Sequence, residues 1–247
     1  MNDIIKNPTI LIHGFGFDHR IWYPVELAFE GHHVIYLSLP GFGLEQPSEA
    51  YTIQDLANKY WRHINDVISE PVHLAGHSMG GYVCMEMLAQ QPTRVASLAL
   101  IHSHVYADAP EKKEARTKGI AEVESDKDAF VRKFIPPLFG QPDRFREITE
   151  MLIERGTAYS SEAWKYGIEA IRDRADHEET LKSSEIPVLM LMGEDDKAVT
   201  LEIGKKQSTL SDKITFRSYR GVGHLSMYEN TSELITDLIR FYRVVAG

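Results

Sequence analysis

The chain has 247 residues, 43% of them apolar and 26% charged, the balance of a globular protein long enough to bury a full core without covalent staples. Its 27 Lys and Arg against 36 Asp and Glu leave a net charge of −9 with no basic run, which argues against nucleic acid and membrane surfaces as partners. A lone cysteine, Cys84, excludes an internal disulfide and any multi-cysteine metal site, and residues 1–9 lack a basic-then-apolar leader, so cytoplasm is the expected location.

Residues 9–13 (Thr-Ile-Leu-Ile-His) are almost entirely apolar, as in a strand buried on both faces of a parallel sheet. His13-Gly14-Phe15-Gly16 ends the run, and its glycines permit a tight loop that can offer the Phe15 N–H to a developing oxyanion. The segment holding Trp22, Pro24, Val25, Leu27, Ala28 and Phe29 reads as a helix on the sheet, closed by Gly31. A second strand is expected over 33–39, stopped by Pro40-Gly41-Phe42-Gly43. Thr52 with Asp55 three residues on resembles a capping box, opening a helix whose apolar stripe is Leu56, Tyr60 and Ile64.

Residues 72–75 give a third strand that runs into Gly76-His77-Ser78-Met79-Gly80-Gly81 and then an apolar helix reaching Gln90. A serine raised on a sharp strand-to-helix turn leaves no room for side chains two residues either side, which accounts for glycine at 76 and 80. The helix behind it supplies a positive dipole end and the Met79 N–H. An ordinary strand-to-helix turn with an exposed serine is the plain alternative for this motif alone, and Cys84 fits that helix as a small hydrophobe. After Pro92, residues 95–101 form a fourth apolar strand. The alternation of strand and helix implies a parallel sheet with helices on both faces.

From 108 to 185 the texture changes: no strand-like run, dense charge, and apolar residues at helical spacing, as in Phe130/Phe134, Ile148/Met151/Leu152 and Trp164/Ile168/Ile171. Three or four helices are expected, a block too long for one crossover. The expected organisation is a core of residues 1–107 and 186–247 with a helical cap, 108–185, inserted before the penultimate strand. The core resumes with a strand at 186–192, Gly193-Glu194-Asp195-Asp196, a helix over 201–210, and an alternating strand at 214–219. Gly221-Val222-Gly223-His224 and an amphipathic helix over 233–245 follow.

A serine hydroxyl needs a general base near neutral pH, and the base needs a carboxylate to hold its tautomer. Ser78, an acid after the penultimate strand and His224 after the last strand supply these in the order Ser, Asp, His, each at the carboxyl end of a strand. Glu194, Asp195 and Asp196 all compete as the acid. Without clustered carboxylates or cysteines, His77, His102 and His104 read as pocket-lining or structural hydrogen-bonding groups rather than metal ligands, and His13 as structural.

These pieces together resemble the α/β-hydrolase superfamily over nearly the whole chain. The resemblance implies Ser78 as nucleophile, His224 as general base and then acid, and Asp196 as orienting carboxylate, because the family pattern puts the acid three positions after the glycine. It further implies an oxyanion hole from the Phe15 and Met79 backbone N–H groups and a cap over the substrate. Family members usually carry two more strands ahead of the His-Gly strand, where this chain has only eight residues, so a shortened sheet of about six strands is expected, with at most a stub at Ile4-Ile5. The motifs look most like small carboxylesterases, 3-oxoadipate enol-lactonases and cofactor-free perhydrolases. The implied reaction is hydrolysis of a small or medium, partly apolar ester or lactone through an acyl-serine, with Phe17, Phe134, Phe139, Trp164 and Met227 as candidate pocket residues and no metal or organic cofactor. C–C bond hydrolysis or perhydrolysis by the same triad, and a slow-turnover ligand-sensing receptor, are the alternatives. Monomer and homodimer are both compatible with it.

Overall fold

A computed structural model describes residues 7–43 and 49–246, so the expected stub at Ile4-Ile5 lies outside the described residues. Six strands, β1 (Thr9–Ile12), β2 (Val34–Leu37), β3 (Val72–His77), β4 (Val95–Ile101), β5 (Val188–Gly193) and β6 (Ile214–Tyr219), form one parallel sheet in the order β2-β1-β3-β4-β5-β6. Strands β1, β3 and β5 are buried along their whole length, in keeping with their largely apolar sequences, whereas edge strand β6 alternates half-buried with exposed positions.

Helices α1 (Ile53–Val67), α2 (Met79–Gln90), α3 (Pro110–Phe134), α4 (Arg146–Ala158), α5 (Ser161–Arg172), α6 (Glu178–Lys182), α7 (Leu201–Ser208), α8 (Ser226–Glu229) and α9 (Thr231–Ala246) surround the sheet. The capping box at α1 is complete: Asp55 N–H donates to Thr52 Oγ1 at 3.0 Å and Thr52 N–H to Asp55 Oδ2 at 2.9 Å. Among the described residues no helix is long and apolar enough to cross a membrane.

Two elements differ from the sequence reading. The helix expected around 22–29 is a 3-10 helix, His19–Phe29, started by Asp18, whose carboxylate accepts from Arg20 N–H at 2.9 Å. Pro24 lies inside it and has no N–H to give an α-helical ladder. Trp22, Val25, Ala28 and Phe29 are nonetheless buried on the sheet as expected. Helix α3 is broken at Asp126 (φ −154°, ψ 90°), where the carboxylate accepts from Ala129 N–H at 2.9 Å and caps a fresh second half.

Only helices and short 3-10 turns connect β4 to β5 among the described residues, and the two ends of this stretch are tied together. Buried Arg174, after α5, donates to Asp108 Oδ1 at 2.8 Å and to the Tyr106 carbonyl at 3.1 Å, both ahead of α3. His104 lies beside this pair, 3.4 Å from the Arg174 guanidinium, and burial together with that charge lowers its pKa from 6.5 to about 3. At the same carboxyl edge of the sheet, on the far side of β3, His13 Nδ1–H donates to the Gly14 carbonyl at 2.9 Å and Nε2 accepts from Leu39 N–H at 3.0 Å, joining the loops after β1 and β2. Burial lowers the His13 pKa from 6.5 to about 4.

Strand order reverses between β1 and β3: the chain leaves β1 toward β2 on one side, while β3 to β6 build outward on the other. The carboxyl ends of β1 and β3 therefore sit side by side with connections diverging, which opens a crevice there. The loop at Gly14 and the turn at Ser78 are the two walls of that crevice.

Two outcomes follow for stability. A Cβ at Gly76 would lie 2.4 Å from the backbone C of Gly80 and N of Gly81, whereas one at Gly31 (φ 84°) would meet nothing within 4 Å. Gly76→Ala is expected to cost about 3 kcal/mol, a fall in Tm of about 6–12 °C, against about 1 kcal/mol for Gly31→Ala; equal losses in thermal melts would contradict this packing. For His13 and His104 the folded pKa lies below the unfolded one, so the unfolded chain takes up protons first as pH falls. Their contribution is full above about pH 6.5 and is lost toward about 4 for His13 and about 3 for His104. Tm should hold steady from about pH 8 to 7 and fall progressively below about 6.5; a flat Tm down to about pH 5 would contradict it.

Candidate active site

Strand β3 ends at His77 and helix α2 begins at Met79, so a single residue, Ser78, makes the whole turn, at φ 51° and ψ −116°. An L-residue in that region is strained, and three contacts hold it there. Ser78 N–H donates to the Ile101 carbonyl at 2.9 Å, and the Ser78 carbonyl accepts from Gly81 N–H at 2.9 Å and Ser103 Oγ at 2.8 Å. A Cβ on Gly80 would lie 2.1 Å from the Ile12 carbonyl oxygen, so α2 starts in direct backbone contact with β1. Ser78 is half-buried while the residues on either side of it are buried, which leaves its side chain the accessible point of the turn. Met79, first residue of α2, has an N–H with no intrahelical acceptor.

The loop after β1 passes directly over this turn. A Cβ on Gly14 would meet Ser78 Cβ at 3.1 Å and His77 Nδ1 at 2.5 Å, and Gly16 (φ 80°) abuts the Trp164 ring. Phe15, between them, packs its ring edge-on to Trp164, Phe42 and Phe134 at centroid distances of 4.9, 5.5 and 5.6 Å. These aromatics fix the loop and hence the position of the Phe15 backbone.

Of the three candidate acids, Asp196 is the one that meets His224. His224 Nδ1–H donates to Asp196 Oδ2 at 2.7 Å, while Glu194 and Asp195 are exposed and Glu194 accepts from Ser218 Oγ at 2.9 Å. The other oxygen, Asp196 Oδ1, accepts from Ala198 N–H at 2.8 Å and Val199 N–H at 2.9 Å. Burial alone would raise this carboxyl, but His224 and His102 beside it outweigh that and hold it well below the usual carboxylate range. Asp196 is thus an acceptor-only carboxylate, and His224 must carry a proton on Nδ1 to donate to it.

The loop bearing His224 is clamped from several sides. Glu229 accepts from Gly223 N–H at 3.0 Å and Leu225 N–H at 3.2 Å through one oxygen, and from Gly140 N–H at 2.8 Å through the other. His224 N–H donates to the Leu138 carbonyl at 2.6 Å, and its own carbonyl accepts from His77 Nε2–H at 2.9 Å. Burial, reinforced by His224 and His102, puts the His77 pKa well below 6.5, so His77 is a neutral support. His102 also reaches the acid, with Nδ1 3.1 Å from Asp196 Oδ2. The ligating atoms of His102, Asp196 and His224 lie within 4.8 Å of one another, a grouping that resembles a metal site, but their mutual hydrogen bonds satisfy them as a proton-linked cluster.

A cavity of about 350 Å³ adjoins the cluster, between α3 and the loop after β5. Phe130, Phe134 and Leu138 line it, with Lys133 and Lys197 beside them. Leu138 is the residue bonded to His224 and Ala198, also lining, is bonded to Asp196. Of the five pocket residues suggested by sequence, Phe134 lines this cavity. The other four are buried and outside its lining: Phe17 tilts over His77 at 6.0 Å, Phe139 stacks on Phe145 at 5.5 Å, Trp164 packs on Phe15, and Met227 lies in α8. Glu229, Lys197 and the contact of His102 with Asp196 escaped the sequence reading. The last carries a signal, since His102 and Asp196 follow neighbouring strands β4 and β5.

Comparison with known proteins bears on the fold and the family. A family model described as "Alpha/beta hydrolase family" matches residues 9–237. The chain is similar to the pimeloyl-acyl-carrier protein methyl ester esterase of Pseudoalteromonas atlantica, 24% identical over 249 residues that cover 93% of this chain and 92% of that one. It is 34% identical over 103 residues to the dihydrolipoyllysine-residue acetyltransferase component of the acetoin cleaving system of Cupriavidus necator, a match covering 41% of this chain and only 28% of that relative's length. In fold it is similar to a thermophilic esterase from Thermogutta terrifontis, with a TM-score of 0.91 at 24% identity, covering 98% of this chain and 91% of that one. A family match spanning all six strands and the residues that carry the Ser78, Asp196 and His224 geometry places this chain in the alpha/beta hydrolase family.

Proposed function

We propose that this protein is a serine hydrolase that cleaves a carboxylic ester or lactone of a small to medium, partly apolar molecule through an acyl-serine intermediate. The observation that carries this reading is a strained, half-buried Ser78 whose neighbour His77 bonds the backbone of a buried His224, itself fixed through Nδ1–H on Asp196 at 2.7 Å. His224 Nε2 takes the Ser78 proton as Oγ attacks the carbonyl carbon. The negative charge that collects on the carbonyl oxygen is met by the Phe15 and Met79 N–H groups, the second at the positive end of α2. The protonated His224 then gives its proton to the departing alcohol oxygen. A water deprotonated by His224 attacks the acyl-Ser78, and collapse of the second tetrahedral species returns the proton to Oγ and releases the acid.

Asp196 stabilises the imidazolium that forms in both steps and remains ionised throughout. The cavity beside Leu138 and Ala198 accommodates the apolar part of the substrate, with Phe134 in its wall and Trp164 packed behind Phe130 and Phe134. Residues 108–185 act as the cap over it. The esterase and methyl ester esterase names among its relatives are consistent with this chemistry.

The test is steady-state hydrolysis of p-nitrophenyl esters over a series of acyl lengths. Sustained turnover is expected, reduced at least about 10⁴-fold in Ser78→Ala and by about 10³–10⁴-fold in Asp196→Asn, with Asp195→Asn unchanged. Activity that survives in Ser78→Ala would overturn the reading, and one stoichiometric burst without turnover would replace it by the slow ligand-sensing alternative.

A further inference from the structure

A second imidazole shares the acid. His102 follows β4 directly, is completely buried, and with Ser78 is one of two non-glycine residues at positive φ (50°) among those described. Its Nδ1 lies 3.1 Å from Asp196 Oδ2, the oxygen that also takes the His224 proton. Its Nε2 lies 2.8 Å from Ser226 Oγ and 3.4 Å from Ser226 N, two residues beyond His224. Gly193 N–H also approaches Nδ1, at 3.3 Å.

Those contacts choose a tautomer. If Nδ1 were bare to accept from Gly193, its lone pair would face an ionised carboxylate oxygen at 3.1 Å, a repulsive arrangement in a dry interior. With the proton on Nδ1, His102 donates to Asp196, and Nε2 accepts from the Ser226 O–H. Asp196 then has four donors for its acceptor sites: Ala198 and Val199 N–H on Oδ1, His224 and His102 Nδ1–H on Oδ2.

We propose that His102 is a positioning residue of the hydrolase, holding Asp196 through its Nδ1–H and drawing charge from the oxygen that orients His224, so that the working unit is Ser78–His224–Asp196–His102. The inference rests on the triad reading above. Its sign is fixed by electrostatics. The Asp196 charge stabilises the His224 imidazolium, and a second N–H on the same oxygen weakens that stabilisation. The other groups facing the pair are His77 of β3, neutral and bonded to the His224 carbonyl; Glu229 of α8, bonded to both neighbours of His224; and Lys112 of α3, whose charge acts on Asp196. None of them donates to Oδ2 among the described residues, so the second bond is specific to His102.

The experiment is the pH profile of kcat/KM for wild type, His102→Ala and His102→Asn, with proton NMR of the low-field imidazole N–H resonances in the same samples. Asn tolerates positive φ and keeps an N–H donor near the position of Nδ1. In His102→Ala the midpoint of the ascending limb should rise by about half to one pH unit, a relative loss of about 3- to 10-fold on that limb. His102→Asn should stay near wild type, and wild type should show two low-field resonances of which His102→Ala retains one. Ser226→Ala, which keeps the ring but withdraws the O–H that fixes its tautomer, should give a smaller rise in the same direction, and it serves if His102→Ala fails to fold in thermal melts. A lower kcat at every pH with an unmoved midpoint, or two resonances persisting in His102→Ala, would overturn the proposal. If instead activity survives in Ser78→Ala, the triad reading itself fails, while the resonances still report whether His102 binds Asp196.

Discussion

No side chain fits between β3 and the helix that follows it. The positions a Cβ would occupy at Gly76 and Gly80 are taken by the backbone of Gly80–Gly81 and by the Ile12 carbonyl, so strand, helix and neighbouring strand meet main chain to main chain. That contact leaves one residue to reverse direction, and the reversal is possible only at positive φ. Ser78 is held there by Ile101, Gly81 and Ser103 rather than by its own preference. Everything else in the crevice is measured from this point. Gly14 lies against Ser78 because β1 pairs with β3, and His102 and Asp196 come together because β4 pairs with β5.

The electrostatics of the crevice follow from burial. Three imidazoles, His77, His102 and His224, lie with ring centroids 5.0–6.0 Å apart around a single ionised carboxylate. One negative charge supports one positive charge in such a place, and the hydrogen bonds of His77 and His102 point away from the crevice or at the acid. His224 is the member whose Nε2 stays unengaged among the described residues, and so the one able to accept a proton transiently. The clamp by Glu229 on both neighbours of His224, and on Gly140 after α3, ties this imidazole to the helical stretch that flanks the cavity.

Much of this was legible in the sequence because the signals are local. Largely apolar runs and one alternating run marked the six strands, and the glycines at 76 and 80 marked the turn, whereas Asp196 stood out from its acidic neighbours only through the resemblance to the family pattern. What local pattern did not reveal has physical reasons. Pro24 converts an apolar helical stripe into a 3-10 run without altering its apolar spacing, and Asp126 breaks α3 while the flanking residues keep helical character. The contact of His102 with Asp196 spans 94 positions and exists only once sheet order is known. The cavity wall is non-local in the same way: Leu138 and Ala198 line it because one holds the His224 backbone and the other the Asp196 carboxylate.

The proposed reaction requires Ser78 to be the nucleophile. The most direct measurement is intact-protein mass spectrometry after treatment with a fluorophosphonate, followed by peptide mapping of the modified residue. A single adduct located on Ser78, absent from protein in which Ser78 is replaced by alanine, is the result expected. Failure to react under conditions where the protein is folded, or an adduct on another residue such as Ser103, would contradict the mechanism.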